Sequence, residues 1–254
     1  VPGLVDCHCH LAAPCFLPVS AAPARRGPAA HGPAAHGPSQ PAPAASPRPS
    51  LVCRFPGFVL PCLGLHPIQD VSPEERRSVT LQDLHAALPL IERYEDRLVA
   101  IGEVGLDFAP RYASTDEQKE EQRQVLIQQI QLAKRLDLPL NVHSYSAGRP
   151  TIRLLQEQGA GNVLLHAFDG KPSVAMEGVK SGYFFSIPPS VIRNEQGSVI
   201  FSFYALQERN EPKNIYIAAE CIARIKGIPV EEVIEVTTQN ALRVFPKLRN
   251  FLRL

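Results

Sequence analysis

Leu98-Val99-Ala100-Ile101-Gly102-Glu103-Val104-Gly105-Leu106-Asp107 is an apolar run interrupted only by Glu103 before it ends at Asp107. A continuous apolar run of this length, with β-branched residues and a glycine at its exit, reads as a strand buried on both faces, as in a parallel sheet. Glu103 follows five apolar or small residues, so its charge emerges from a buried segment. An unpaired carboxylate there is costly, and a bound cation or a set of hydrogen-bond donors would offset that cost.

The same pattern recurs on either side. Phe58-Val59-Leu60-Pro61-Cys62-Leu63-Gly64-Leu65 reads as a strand ending at His66-Pro67. Leu138-Pro139-Leu140-Asn141-Val142-His143 ends in a histidine, as does Asn162-Val163-Leu164-Leu165-His166; Gly182-Tyr183-Phe184-Phe185-Ser186 repeats the apolar pattern. Helical spacing fills the gaps: Leu81, Leu84, Leu88, Ile91 and Tyr94 over residues 80–95, with Pro89 as a possible kink, then a helix over 116–136 capped by Thr115 with Val125, Ile127, Ile130 and Leu132 on one stripe. A further helix spans 148–158, and another lies between the last two strands. At the start, Leu4-Val5-Asp6-Cys7-His8-Cys9-His10 alternates, which puts His8 and His10 on one side of a strand and Cys7 and Cys9 on the core side.

Strand followed by helix argues a parallel sheet, either a closed barrel or an open doubly wound sheet. His10, His66, Glu103, His143 and His166 each fall at the C-terminal end of a different strand. In a (β/α)8 barrel those ends form one ring, whereas an open sheet spreads them along a line, so the TIM-like barrel is the reading that gives them a common purpose.

The chain has 254 residues and a formal charge of +1, which predicts no strong nucleic-acid or membrane field, although a local basic patch can coexist with it. No apolar run is long enough to span a bilayer and no secretory leader pattern is visible, so an intracellular location, cytoplasmic or nuclear, with six reduced cysteines is expected. Residues 12–56 hold eleven of the 25 prolines, set among alanine and glycine with a tandem Gly-Pro-Ala-Ala-His unit. That composition offers too little apolar surface to offset ordering, and it reads as a disordered insertion within a single 1–254 domain.

Histidines and carboxylates without paired thiols favour zinc, manganese or magnesium at a hydrolytic centre. Glu103 is the natural bridge if two ions bind. Asp107 reads as a residue that orients a histidine, and His66 as one that contacts substrate phosphate or holds its loop. His85 reads as a surface residue on its helix.

These motifs resemble the TatD-related metal-dependent deoxyribonucleases, TIM barrels of the amidohydrolase type. The resemblance rests on Asp6-Cys7-His8-Cys9-His10, Gly64-Leu65-His66-Pro67, Gly102-Glu103-Val104-Gly105-Leu106-Asp107, Val142-His143-Ser144, His166-Ala167-Phe168-Asp169-Gly170 and Thr237-Thr238-Gln239-Asn240-Ala241. It implies that His8, His10 and Glu103 hold one divalent metal, that Glu103, His143 and His166 hold a second, and that the reaction is hydrolysis of DNA phosphodiester bonds. Lys134, Arg135, Arg149, Arg153 and Lys171 are then candidates for phosphate contacts.

Three departures qualify the resemblance. The Pro/Ala tract occupies the place of the family's second barrel strand, so an incomplete barrel is expected. The acidic motif of the family's last strand, whose aspartate would bind metal and act as base, has no counterpart, because no Asp follows Asp169. Glu208 is the stand-in that remains, and no catalytic base is otherwise identified. Tyr145 stands where relatives commonly carry arginine. The expectation is a divalent-metal hydrolase with impaired DNA cleavage, and the alternative is a non-catalytic metal-binding or interaction scaffold.

Overall fold

The computed structural model describes residues 60–72, 75–188 and 214–250. Five parallel strands form one sheet: β1 (Cys62–Leu63), β4 (Ala100–Gly105), β5 (Leu140–His143), β6 (Val163–Leu165) and β7 (Phe184–Phe185), in that order. A hairpin of β2 (Ile68–Asp70) and β3 (Arg76–Ser78) is inserted after β1. The strand order in the main sheet follows the chain without reversing, as in the wall of a barrel and unlike a doubly wound sheet. Among the described residues the wall does not close, in keeping with the incomplete (β/α)8 barrel expected from the sequence.

The helices α1 (Leu81–Arg93), α2 (Asp116–Arg135), α3 (Gly148–Glu157) and α4 (Pro172–Lys180) follow strands on the outside of this arc. Both longer ones start on capping boxes. Thr80 accepts from the Asp83 N–H while Asp83 accepts from the Thr80 N–H, and Thr115 and Gln118 exchange the same pair of bonds. Pro89 lies inside α1 without ending it, and His85 is exposed as expected. The stripe of α2 differs slightly from the sequence reading: Leu126 is fully buried, while Ile127 is only partly so. Two C-terminal helices, α5 (Ile215–Lys226) and α6 (Val230–Val244), lie beyond the strand–helix repeat, and Gly227, at φ +66°, supplies the left-handed turn that stops α5.

Strand alternation divides the core in two. Leu63, Ile101, Leu140, Val142, Val163 and Leu165 face α2, α3 and α4 in the main cluster. Ala100 and Leu164, with Cys62 and Phe184 beside them, face inward, where Ala241, Leu242 and Val244 of α6 plug the inner face. By the same alternation Asn141, His143 and His166 lie on the inner face above that plug, towards the C-terminal strand ends. The barrel floor is thus apolar and its mouth is polar.

Candidate metal centre

Glu103 reaches this mouth through a bulge. Ile101 pairs with Leu140 and Gly102 with Asn141, but the register then shifts, so that Val104 pairs with Val142 and Gly105 with His143. Ile101 and Val104 both face the helices, fully buried. One residue between them is therefore surplus, and the surplus residue is Glu103. Strict alternation would have put its carboxylate on the helix side with Ile101; the bulge turns it inward. Gly105 completes the exit at φ +144°, close enough to the His143 carbonyl oxygen that a Cβ would overlap it.

Three imidazoles from three strand ends converge on one oxygen of that carboxylate. Glu103 Oε1 is 2.6 Å from His166 Nε2, 3.2 Å from His143 Nδ1 and 3.5 Å from His66 Nε2. The Glu103 side chain is 11% exposed. Donor atoms of His66, Glu103 and His143 lie within 4.8 Å of one another.

In each ring the nitrogen facing away from Glu103 is also engaged. His166 Nδ1 lies 2.7 Å from Asn141 Oδ1, and Asn141 sits two residues before His143 on β5, hence on the same face. His143 Nε2 lies 3.2 Å from Asp107 Oδ2, while Asp107 Oδ1 accepts from the Ala109 N–H at 2.9 Å. His66 Nδ1 meets the backbone of Ile68, at 2.9 Å from its nitrogen and 3.0 Å from its oxygen. A ring whose far nitrogen donates to a carboxylate or carbonyl presents its near nitrogen as a lone pair, the usual arrangement behind a metal ligand.

The electrostatics separate the rings. Burial lowers His66 to about 4, against the opposing charge of Glu103, so it is neutral. Burial also works against charge on His143, yet its hydrogen bonds to Asp107 and Glu103 outweigh burial and raise it to about 9. Cys62, on the inner face below, is pushed by burial to about 11, with Glu103 adding to the effect. A thiol so disposed is a poor ligand, so among the described residues the donors on offer are nitrogen and oxygen. The donor set fits a borderline divalent cation.

Of the residues singled out in the sequence, Glu103, His143, His166, His66 and Asp107 come together, with Asp107 behind His143. His8, His10 and Glu208 lie outside the described residues, as does the 12–56 tract. Lys134 donates to the Gln158 carbonyl and Arg135 pairs with Glu92, both at the C-terminal end of α2 and hence at the opposite end of the barrel from the centre. Arg149 and Lys171 start α3 and α4 and so lie on the mouth side. Sequence reading passed over Asn141, which the period of two from His143 would have identified, and Asp169. Burial raises the carboxyl of half-buried Asp169 while a hydrogen bond from the Ser146 backbone opposes it, and its field reaches His143.

An open parallel barrel with imidazoles and a carboxylate at its mouth is the architecture of metal-dependent hydrolases. The family signature described as TatD related DNase matches residues 5–202, and the chain belongs to that family of hydrolases. It is 60% identical to Deoxyribonuclease TATDN3 of Homo sapiens, over 99% of this chain and 97% of that protein. It is 30% identical to the uncharacterized metal-dependent hydrolase YabD of Bacillus subtilis, over 74% of this chain and 78% of that one. The crystal structure of YJJV, a TatD homolog from Escherichia coli K12, matches its fold with a TM-score of 0.62 at 22% identity, covering 77% of this chain and 80% of that chain. No helix among the described residues is long and apolar enough to cross a membrane.

Proposed function

We propose that this protein is a divalent-metal-dependent phosphodiesterase acting on DNA. Glu103, His143 and His166 would hold one ion, with His8 and His10 joining Glu103 at a second. The observation that carries the reading is the convergence of three imidazoles on Glu103 Oε1 with each far nitrogen engaged. A divalent ion bound there polarises a phosphoryl oxygen and acidifies a water. Zinc, manganese and magnesium all suit the nitrogen and oxygen donors, zinc best where imidazole dominates.

The chain's own residues divide the remaining work. Asp107 fixes the His143 ring and Asn141 fixes His166, so that their near nitrogens stay aimed. His66, neutral at physiological pH, stands beside Glu103; with Nδ1 accepting from the Ile68 N–H, its Nε2 carries the proton and donates to a phosphate oxygen. Lys171 and Arg149, the latter 3.5 Å from the Glu177 carboxylate, place positive charge on the mouth side for the nucleic-acid backbone. Residues 188–208 carry no aspartate, so proton removal from the attacking water lacks its usual carboxylate, and Glu208 is the nearest substitute in the sequence. Loss of a general base typically lowers rate about 10² to 10⁴-fold.

The test pairs metal content with turnover. Zinc-loaded protein should cleave single- and double-stranded DNA slowly but above a His143→Ala control. The missing acidic motif also favours the alternative of a metal-binding scaffold, which would retain stoichiometric metal with cleavage no faster than that control.

A further inference from the structure

Two strand extensions carry residues of the centre past the point where the sheet can pair with them. β1 is hydrogen-bonded to β4 only over Cys62 and Leu63, so Leu65, next to His66, has left the ladder. Asp107 lies beyond the end of β4. Its neighbours still bond towards β5, Leu106 N–H to the His143 carbonyl and Phe108 N–H to the Tyr145 carbonyl. The N–H and C=O of Asp107 point the other way by alternation, towards the side from which β1 has turned off into the hairpin. Buried backbone groups so placed need other partners.

Helix α2 supplies them. Gln129 accepts from the Leu65 N–H at 2.6 Å and donates to the Leu65 carbonyl at 3.2 Å. Gln122 accepts from the Asp107 N–H at 2.9 Å, donates to the Asp107 carbonyl at 3.0 Å and also to Ser78 Oγ at 3.0 Å, at the end of the hairpin. Each amide stands in for the missing neighbouring strand. Both glutamines are 0% exposed, and both sit in the stripe otherwise built from Val125, Leu126, Ile130 and Leu132. They are seven residues apart, two turns of one helix, hence on one face. A polar side chain at such a position is unfavourable for packing alone.

We propose that Gln122 and Gln129 are positioning residues, through which α2 sets the placement of Asp107, and so of His143, and of His66. The inference rests on the metal reading for its consequence, because those residues matter if His143 and His66 face an ion or a phosphate. The mechanical coupling itself is independent of any ligand. A fixed helix holding both extensions accounts for how His66 and Asp107 both meet the His143 ring at the end of β5, the His66 ring with its centroid 4.5 Å from that of His143 and the Asp107 carboxylate 3.2 Å from Nε2.

The test uses the full chain carrying Gln122→Met or Gln129→Met, which keep length and remove the three hydrogen bonds of Gln122 or the two of Gln129. Leu126→Ala, a cavity variant on the same fully buried face, is the control for general destabilisation. In metal-free protein, ¹⁵N-edited spectra of the histidine rings should show His143 shifted in Gln122→Met and His66 shifted in Gln129→Met, each with the other ring less affected. Leu126→Ala should lower the melting temperature while leaving both rings at their wild-type positions. Zinc affinity should fall about tenfold in Gln122→Met. Gln122→Glu and Gln129→Glu, which keep the acceptor and lose the donor, should shift the same rings by less, and they serve if the Met variants do not fold. Unshifted rings in the glutamine variants, or equal shifts in Leu126→Ala, would overturn the proposal. Failure of the wild-type protein to bind zinc would instead overturn the metal reading, and the ring pattern would still decide the coupling.

Discussion

Asp107→Asn tests the centre most sharply, because its effect depends on which proton each nitrogen carries. Asp107 serves two donors, the Ala109 N–H through Oδ1 and the His143 ring through Oδ2. An asparagine has one acceptor oxygen. If that oxygen stays with Ala109, the amide NH₂ faces His143 Nε2 and favours the tautomer with the proton on Nδ1, which is the nitrogen aimed at Glu103. The variant therefore presents an N–H where a metal needs a lone pair, and affinity should fall about 10- to 100-fold once pH no longer limits binding. In the wild type, pH does limit it: His143 holds its proton to about 9, so at pH 7 the ion must displace a proton bound by about two pH units, roughly 2.7 kcal/mol. Zinc affinity should rise close to tenfold per pH unit from 7 to 9 and then level. Without the Asp107 charge the imidazolium loses a main support, so the slope should flatten in the variant. Chelator-competition titrations across this range, with calorimetry in buffers of different ionisation enthalpy to count protons released, measure both effects. A variant that binds zinc as tightly as wild type at pH 9, with the same proton count at pH 7.5, would refute the assignment.

Metal-free protein should be most stable near pH 6.5. His66 is lowered to about 4, so its contribution is present above the unfolded value near 6.5 and lost as pH falls through 4. His143 is raised to about 9, so its contribution is present below 6.5 and lost as pH rises through 9; urea midpoints that climb steadily from pH 6.5 to 9 would contradict this. Gly105→Ala puts a Cβ against the His143 carbonyl at φ +144° and should cost more than about 3 kcal/mol, read as loss of soluble protein or of the cooperative urea transition. Asn141→Leu leaves His166 Nδ1 without its acceptor in a buried site, which should cost about 1–3 kcal/mol and weaken zinc binding, both visible in melts with and without metal. Gel-filtered protein should carry one tightly bound zinc per chain by elemental analysis, with a second retained only when phosphate is present; two tight ions without phosphate would refute that.

The barrel wall was legible because buried parallel strands announce themselves as apolar runs, and the histidines at their ends marked one face. Glu103 drew notice as a charge inside an apolar run, and the structure brings three imidazoles to its carboxylate, but how it turns inward was not legible. The register shift between Gly102 and Val104 depends on pairing with β5, and a single sequence carries no record of pairing. The β2–β3 hairpin escaped notice because its strands are short and largely exposed, with Arg76 paired to Asp70 rather than alternating with apolar residues. Gln122 and Gln129 escaped because a helical stripe is read by its apolar members. Two glutamines within it look like interruptions until the backbone they meet is known.

The charge balance ties the departures of the sequence to the expected single tight ion. Glu103 and Asp107 stand within and behind the described centre, half-buried Asp169 adds a carboxyl whose burial works against its charge, and the histidines that face Glu103 are neutral once they act as ligands. Two negative charges balance one divalent cation. A second dication 3.5–4 Å from the first would add a repulsion of roughly 18 kcal/mol at an effective dielectric of 20, before any ligand offsets it. His8 and His10 would bring lone pairs to such an ion but no charge. An aspartate of the kind the resemblance implies on the last strand would add a negative charge; residues 188–208 contain no aspartate, and their acidic residues are Glu195 and Glu208. A phosphodiester arriving with its own charge partly replaces that aspartate. On these grounds the second ion should come with the substrate, so the absent carboxylate would weaken cleavage first through metal occupancy at low substrate and only then through the lost base.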